Sequence, residues 1–236
     1  MSTRHVVSRE QWIEARRALL AEEKAWTRER DRLAAKLRAL PWVKVEKQYV
    51  FDAPEGKITL ADLFDGRSQL IVYHFMFGPE WEEGCVGCSL FCDHVDGPRQ
   101  HFEHHDVSFA AVSRAPIAKL EAYRKRMGWK FRWVSSLNND FNFDYNVSFP
   151  EGTRDGGVFY NFEHQPDPGV DELSGRSVFF KDEDGAIYHT YSNYGRGGEP
   201  FLSVYAFLDL VPRGRNETER GNLTDWVKRH DQYPQP

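Results

Sequence analysis

Residues 69–77 read QLIVYHFMF, an almost unbroken apolar stretch that leaves few folds open. Such a run predicts a central strand buried on both faces, as in a sheet covered by helices on each side. Gly78-Pro79 ends it. Next comes EEGCVGCSLFC (82–92), which holds all three cysteines of the chain and opens a helix to about Val95, interrupted by Gly97-Pro98. VSFAAVS (107–113) predicts a second buried strand. Pro116 starts an amphipathic helix, PIAKLEAYRKRM, that Gly128 closes. KFRWVSS (130–136) is a third strand, and RSVFFKDEDGAIYHTYS (176–192) a hairpin about Asp184-Gly185. EPFLSVYAFLDL (199–210) reads as a last helix with Pro200 in its first turn.

The order is strand, Cys-x-x-Cys, helix, strand, helix, strand, hairpin, helix. A strand–crossover–strand order implies a parallel core, and the hairpin adds antiparallel strands. The expected fold is therefore α/β, a thioredoxin-like mixed sheet flanked by helices. The cysteines fall where that arrangement places its redox pair, between a buried strand and the next helix.

Before this core, Ser8 and Gln11 form a capping box, and good helix formers run to about Ala39, with Pro41 ending the helix. Trp12, Leu19, Trp26, Leu33 and Leu40 recur every seventh residue, and Ile13, Leu20 and Leu37 widen the stripe only slightly. So narrow a stripe on a helix ~45–50 Å long suits either an arm across its own domain or a homodimer contact. Residues 43–60 suggest two strands around Pro54-Glu55-Gly56, and 138–174 a long ordered loop rich in aromatics. The division expected is an arm at 1–41, a thioredoxin-like domain at 42–215 and a polar tail at 216–236 that Trp226 and Tyr233 dock.

A net charge of −5 leaves no electrostatic footprint for nucleic acid. No apolar run reaches membrane-spanning length, and MSTRHVVSREQW lacks an apolar signal core. The expectation is a cytoplasmic protein with reduced cysteines, in which a Cys-x-x-Cys does redox or metal chemistry.

In the redox reading, Cys85 sits at a helix N-terminus, whose free N–H groups and dipole stabilise a thiolate. Cys85 would attack and Cys88 would resolve the product, while Gly84 and Gly87 leave room for substrate. Cys92, a turn further on, reads as a buried apolar residue. Glu80, Glu82 and Glu83 oppose this reading, since nearby carboxylates raise a thiol's pKa. In the metal reading, Cys85, Cys88, His101 and His105 match a zinc-finger spacing, but Gly97-Pro98 breaks the required helix. A zinc site of Cys85, Cys88 and a distant histidine stays open. His74 reads as a hydrogen-bonded core histidine. YSNYGRGGEP (191–200), with Arg196, reads as a strand-to-helix turn ahead of an anion cradle.

The segments GCVGCSLFCDHVDG, VSRAPIAKLEAYRKRMGW, SSLNNDFNFDYNVS and SVFFKDEDGAIYHTYSNYGRG resemble a bacterial thioredoxin-like family catalogued only as a domain of unknown function. The likeness extends to the N-terminal helix and to FLDLVPRGRNE. It implies a thioredoxin-like fold related to the peroxiredoxin branch. Two departures matter. The cis-proline of thioredoxins is missing before the strand expected to begin at Ser177, where Gly175-Arg176 stand instead. An arginine there, Arg176, resembles the peroxiredoxin arginine that supports thiolate and peroxide, yet PEWEEGC lacks the peroxiredoxin threonine. The expectation is thus a thiol–disulfide oxidoreductase or thiol peroxidase with catalytic Cys85, Cys88 and Arg176, acting on a small-molecule peroxide or a protein disulfide. No cofactor or resident metal is assigned. The other class is a non-catalytic binding or dimerisation module, with or without zinc.

Overall fold

The computed structural model describes residues 5–150, 152–215 and 226–234. Contacts divide the chain into two compact units, Met1–Pro41 and Trp42–Pro236. In the first, α1 (Arg9–Arg38) carries the expected capping box. The Gln11 N–H donates to Ser8 Oγ (3.2 Å), and the Ser8 N–H donates to Gln11 Oε1 (3.1 Å). No residue of α1 is buried, and Trp26 is 64% exposed. Among the described residues no helix is long and apolar enough to cross a membrane.

The second unit follows the expected order with additions. The strands and helices are β1 (Val43–Lys44), β2 (Val50–Ala53), β3 (Gly56–Thr59), β4 (Gln69–His74), α2 (Val86–Asp93), α3 (Asp96–Glu103), β5 (Val107–Ser113), α4 (Ile117–Met127) and β6 (Arg132–Ser135). Then come α5 (Phe141–Asp144), β7 (Val158–Tyr160), β8 (Glu163–Gln165), β9 (Gly175–Lys181), β10 (Ile187–Tyr194) and α6 (Ser203–Asp209). The main sheet runs β1-β10-β9-β4-β5-β6-β2-β3. β4 pairs in parallel with β5, and β5 with β6, whereas β9 lies antiparallel to both β4 and β10. The order β10-β9-β4-β5, with cysteines after β4, is the thioredoxin-like core.

β4 is buried on both sides, as its sequence requires. Tyr73, with Phe75 and Phe77 beyond the strand's end, faces one core with Phe91, Tyr123, Trp129 and Trp133. Leu70 and Val72 face the other with Phe51, Phe64, Phe141 and Phe179. Each such ring or aliphatic chain contributes about 1.5–3 kcal/mol on burial, so the two cores fix where the end of β4 projects. Phe75 N–H still donates to Val112 O (2.9 Å), and Ala115 N–H to Phe77 O (2.8 Å). The chain therefore stays extended up to the glycine-proline break. At the hairpin turn Gly185 takes a φ of 82°, and Asp182 Oδ1 accepts from the Ala186 N–H (2.8 Å).

Four local expectations change. Gly97-Pro98 starts α3 rather than merely ending a helix, because a proline in the first turn has no intrahelical N–H to lose. β9 begins at Gly175, not Ser177, so Arg176 lies inside the strand, paired across from Tyr73. The last helix is split into a 3-10 segment, Gly195–Phe201, that contains Pro200, and α6. Residues 138–174 hold α5 and the β7–β8 hairpin rather than one loop. Of the tail expected at 216–236, residues 216–225 and 235–236 lie outside the described residues.

Candidate active site

Cys85 is the N-cap residue of α2, with φ −54° and ψ 135°. Its own N–H donates back to Met76 O (3.1 Å), and its carbonyl accepts from the Ser89 N–H (2.9 Å). The sulfur therefore sits over the first turn of the helix, where N–H groups lack intrahelical acceptors. Cys85 is half-buried, while Cys88 and Cys92 are sealed in the core. Cys92 is thus the buried apolar residue its spacing suggested. Gly84 serves packing, not substrate access: a Cβ there would lie 2.6 Å from Phe75.

The Cys85 thiol is pulled down to about 6. The hydrogen bond from Cys88 is the main cause, opposed by burial and helped by the backbone N–H groups of Cys88 and Gly87 and by the charge of Arg229. Cys88 moves the other way: burial in the core pushes its thiol up, as do its hydrogen bond to Cys85 and that sulfur's charge. Cys88 Sγ also accepts from the Met76 N–H (3.5 Å). The half-buried sulfur is thus pulled toward the thiolate form, while the buried one is held toward the thiol.

Arg229 comes from the C-terminal tail. Its Nη2 donates to Gly84 O (2.7 Å), its Nε to Tyr123 Oη (2.7 Å), and its Nη1 pairs with Glu83 (2.8 Å). Glu83 is also held by Arg126, so two cations offset it, and Glu80 and Glu82 are exposed. The acidic approach to Cys85 is thereby largely cancelled. Nothing in the local sequence of Arg229 marks this role. Around it, Val227 is buried, Trp226 packs edge-on to Tyr205, and His230 Nδ1 lies 2.7 Å from Asp93. Tyr233 stays partly exposed, its hydroxyl accepting from the Lys228 N–H (3.0 Å).

Cys85 opens on a cavity of about 390 Å³ that is lined also by the buried Cys88 and by Arg176, Gly198 and Tyr205. Arg176 is only 5% exposed. Its Nε donates to Asn193 Oδ1, its Nη2 to Gly195 O (3.3 Å), and its guanidinium lies 5.7 Å from the Phe91 ring centre. A Cβ at Gly198 would stand 2.0 Å from Arg176 Nη1, so the guanidinium keeps its present place only because that residue is glycine. The turn at 191–200 therefore lines the cavity, while Arg196 is exposed and pairs with Glu199 (2.8 Å).

His74 points to the other face of the sheet, where Nε2 meets Ser177 Oγ at 2.8 Å. Burial drives it down to about 3, as expected of a neutral core histidine. His101 and His105 are exposed at the end of α3. Among the described residues no group of three or more His, Cys, Asp and Glu side chains is arranged to hold a metal ion.

Comparison with known proteins gives a family. No curated protein matches the chain. Among solved structures, the peroxidoxin BcpB of Mycobacterium tuberculosis is 12% identical, covers 70% of this chain and 94% of its own, and superposes with a TM-score of 0.46. A PrxQ mutant of Xylella fastidiosa is 14% identical over 67% and 88%, with a TM-score of 0.42. The mitochondrial 2-Cys peroxiredoxin of Plasmodium falciparum is 13% identical over 71% and 92%, with a TM-score of 0.40. Residues 1–233 match the model of the bacterial proteins of unknown function termed DUF899, and the chain belongs to that family.

Proposed function

We propose that this protein is a thiol-dependent oxidoreductase, best read as a thiol peroxidase, with Cys85 as nucleophile and Cys88 as resolving thiol. The observation that carries the reading is the sulfur pair itself: a depressed Cys85 at a helix N-cap, receiving a hydrogen bond from a buried Cys88, at the wall of an open cavity. A thiolate is the form that attacks an O–O or S–S bond. The half-burial of Cys85 favours a small-molecule peroxide over a protein disulfide, which needs an open face.

In the first step Cys85 thiolate attacks the terminal oxygen of a hydroperoxide. An S–O bond forms, the O–O bond breaks, and the departing alkoxide takes a proton from water. Sulfur loses two electrons and the peroxide gains them. Cys88 then attacks the sulfenic acid of Cys85, giving a disulfide and releasing water that carries the Cys88 proton. An external dithiol returns the two electrons. Arg176 supplies positive charge to the cavity in which these anions form.

The test is to mix reduced protein with hydrogen peroxide, cumene hydroperoxide and a protein disulfide, and to follow Cys85–Cys88 disulfide by mass spectrometry. Peroxide-driven disulfide that is lost in Cys85→Ser supports the reading. No oxidation by any peroxide rejects it.

The second reading, a dimerisation module, is favoured by one feature, the exposed stripe of Trp12, Leu19, Trp26 and Leu33 along α1. A mass at micromolar concentration equal to one chain, unchanged in Trp26→Glu, rejects it.

A further inference from the structure

Charged side chains sealed in a protein are normally paired, because leaving an ion unpaired in a low-dielectric site is costly. Arg176 is the exception here. It is 95% buried by its exposure of 5%, and among the described residues no carboxylate forms an ion pair with it. The arginines lining another cavity show the usual rule. Arg67 pairs with Asp65 (3.1 Å), Arg99 with Glu103 (2.7 Å), Arg124 with Glu121 (2.8 Å) and Arg132 with Glu55 (3.0 Å).

A guanidinium has five N–H donors. Asn193 takes one from Arg176 and Gly195 a second. The other three have no acceptor among the described residues, and Arg176 lines the same cavity as Cys85. Neither sulfur takes a hydrogen bond from Arg176 among the described residues; its two acceptors are Asn193 and Gly195. The rest of the cavity wall includes the apolar Met76, Leu90, Phe91 and Leu202, and its one carboxylate among the described residues, Glu199, is paired with Arg196 and Arg215. A volume of about 390 Å³ far exceeds what hydrogen peroxide fills.

We infer that the cavity binds an organic substrate bearing a carboxylate, which the free N–H groups of Arg176 hold while its apolar body lies along Phe91 and Leu202 and its peroxide reaches Cys85. This deepens the peroxidase reading and rests on it for the reacting group alone. The planar fork of arginine suits a carboxylate, which it grips through two parallel hydrogen bonds. Gly198 keeps the guanidinium in place by leaving its approach clear.

The test is a matched pair: a hydroperoxy fatty acid and its methyl ester, each reacted with reduced protein at pH 7 in stopped flow. The acid should react about tenfold or more faster, the size expected of one charge-assisted hydrogen bond. Arg176→Gln should bring the acid down to the ester. Equal rates for acid and ester in the unaltered protein overturn the inference, whatever the variant does. If neither peroxide oxidises Cys85, the peroxidase reading fails and the anion site is tested by itself. Titration calorimetry with the corresponding hydroxy fatty acid then decides. Binding that is lost with the methyl ester sustains the site, and equal or absent binding of both rejects it.

Discussion

The Arg229 guanidinium donates across 2.7 Å to the carbonyl of Gly84, 145 residues earlier and immediately before Cys85. The same side chain ties down Tyr123 Oη and Glu83. The tail thus fixes the turn that presents Cys85 and adds positive charge beside it. Removing Arg229 also releases Glu83 from one of its two cations. Arg229→Met should therefore raise the midpoint of Cys85 alkylation with pH, by up to about one unit, which costs about tenfold in thiolate near pH 6. Arg229→Lys should fall between, since lysine keeps the charge and loses the fork. A midpoint that does not move in either variant means the tail is only packing.

Cys88 contributes the hydrogen bond that most lowers Cys85. Cys88→Ala should raise the alkylation midpoint of Cys85 more than Arg229→Met does. It should also trap the sulfenic acid after peroxide, readable by dimedone labelling. Cys88→Ser keeps a donor and should preserve more of the low midpoint. There is a linked effect on stability. A thiol depressed in the native state stabilises the fold at pH values above its unfolded pKa, and that stability is lost as pH falls through about 6. Reduced protein should thus gain stability over Cys85→Ser as pH rises from 6 to 9. Parallel melting curves for the two across that range would contradict the depressed thiolate.

Gly198 is not held by a left-handed backbone; it is held by the Arg176 guanidinium 2.0 Å from where a Cβ would stand. Gly198→Ala should push the guanidinium off Asn193 and Gly195, costing roughly 1–3 kcal/mol in melting experiments. Reaction of Cys85 with a neutral alkylating reagent should change little, because its thiolate depends on Cys88 and Arg229. A large rise in the alkylation midpoint would show that Arg176 also holds the thiolate.

How far the sequence discloses this site depends on which forces act locally. The strands β4 and β5 and the N-cap position of Cys85 are legible because burial on both faces writes continuous apolar runs, and because glycine-proline pairs punctuate them. The arginine beside Tyr73 is legible only as a position before a strand, and its place inside β9 depends on how far the β9–β10 ladder extends. Arg229 is not legible at all. It sits in a polar segment, WVKRHDQY, whose residues have no periodicity, and its role arises from packing against elements 100 or more residues away. The carboxylates before Cys85 were equally ambiguous, since the cations that offset Glu83 come from α4 and the tail.

Glu172 offers the remaining test, of the segment between β6 and β9. Its carboxylate is 1% exposed, hydrogen-bonded by Ser148 and paired with Arg114 at 3.2 Å. Burial outweighs both partners and pushes it up to about 7. Beside it, Asp171 accepts from the Trp81 indole (3.3 Å), and Trp81 covers Gly78 at the turn leading to the cysteines. A carboxyl raised in the native state contributes stability that is complete below its unfolded pKa of about 4.5 and lost as pH rises through about 7. The effect is a few kcal/mol at most, at ~1.4 kcal/mol per unit of displacement. Glu172→Gln keeps the hydrogen bond to Ser148 and cannot ionise, so its melting temperature should fall less between pH 5 and 8 than that of the unaltered protein. Amide protection factors at Ser148 and Trp81, which are corrected for base-catalysed exchange, should fall above pH 7 only where Glu172 is present. If both proteins show the same pH slope, Arg114 holds Glu172 ionised throughout and the segment has no proton-linked hold on the active-site turn.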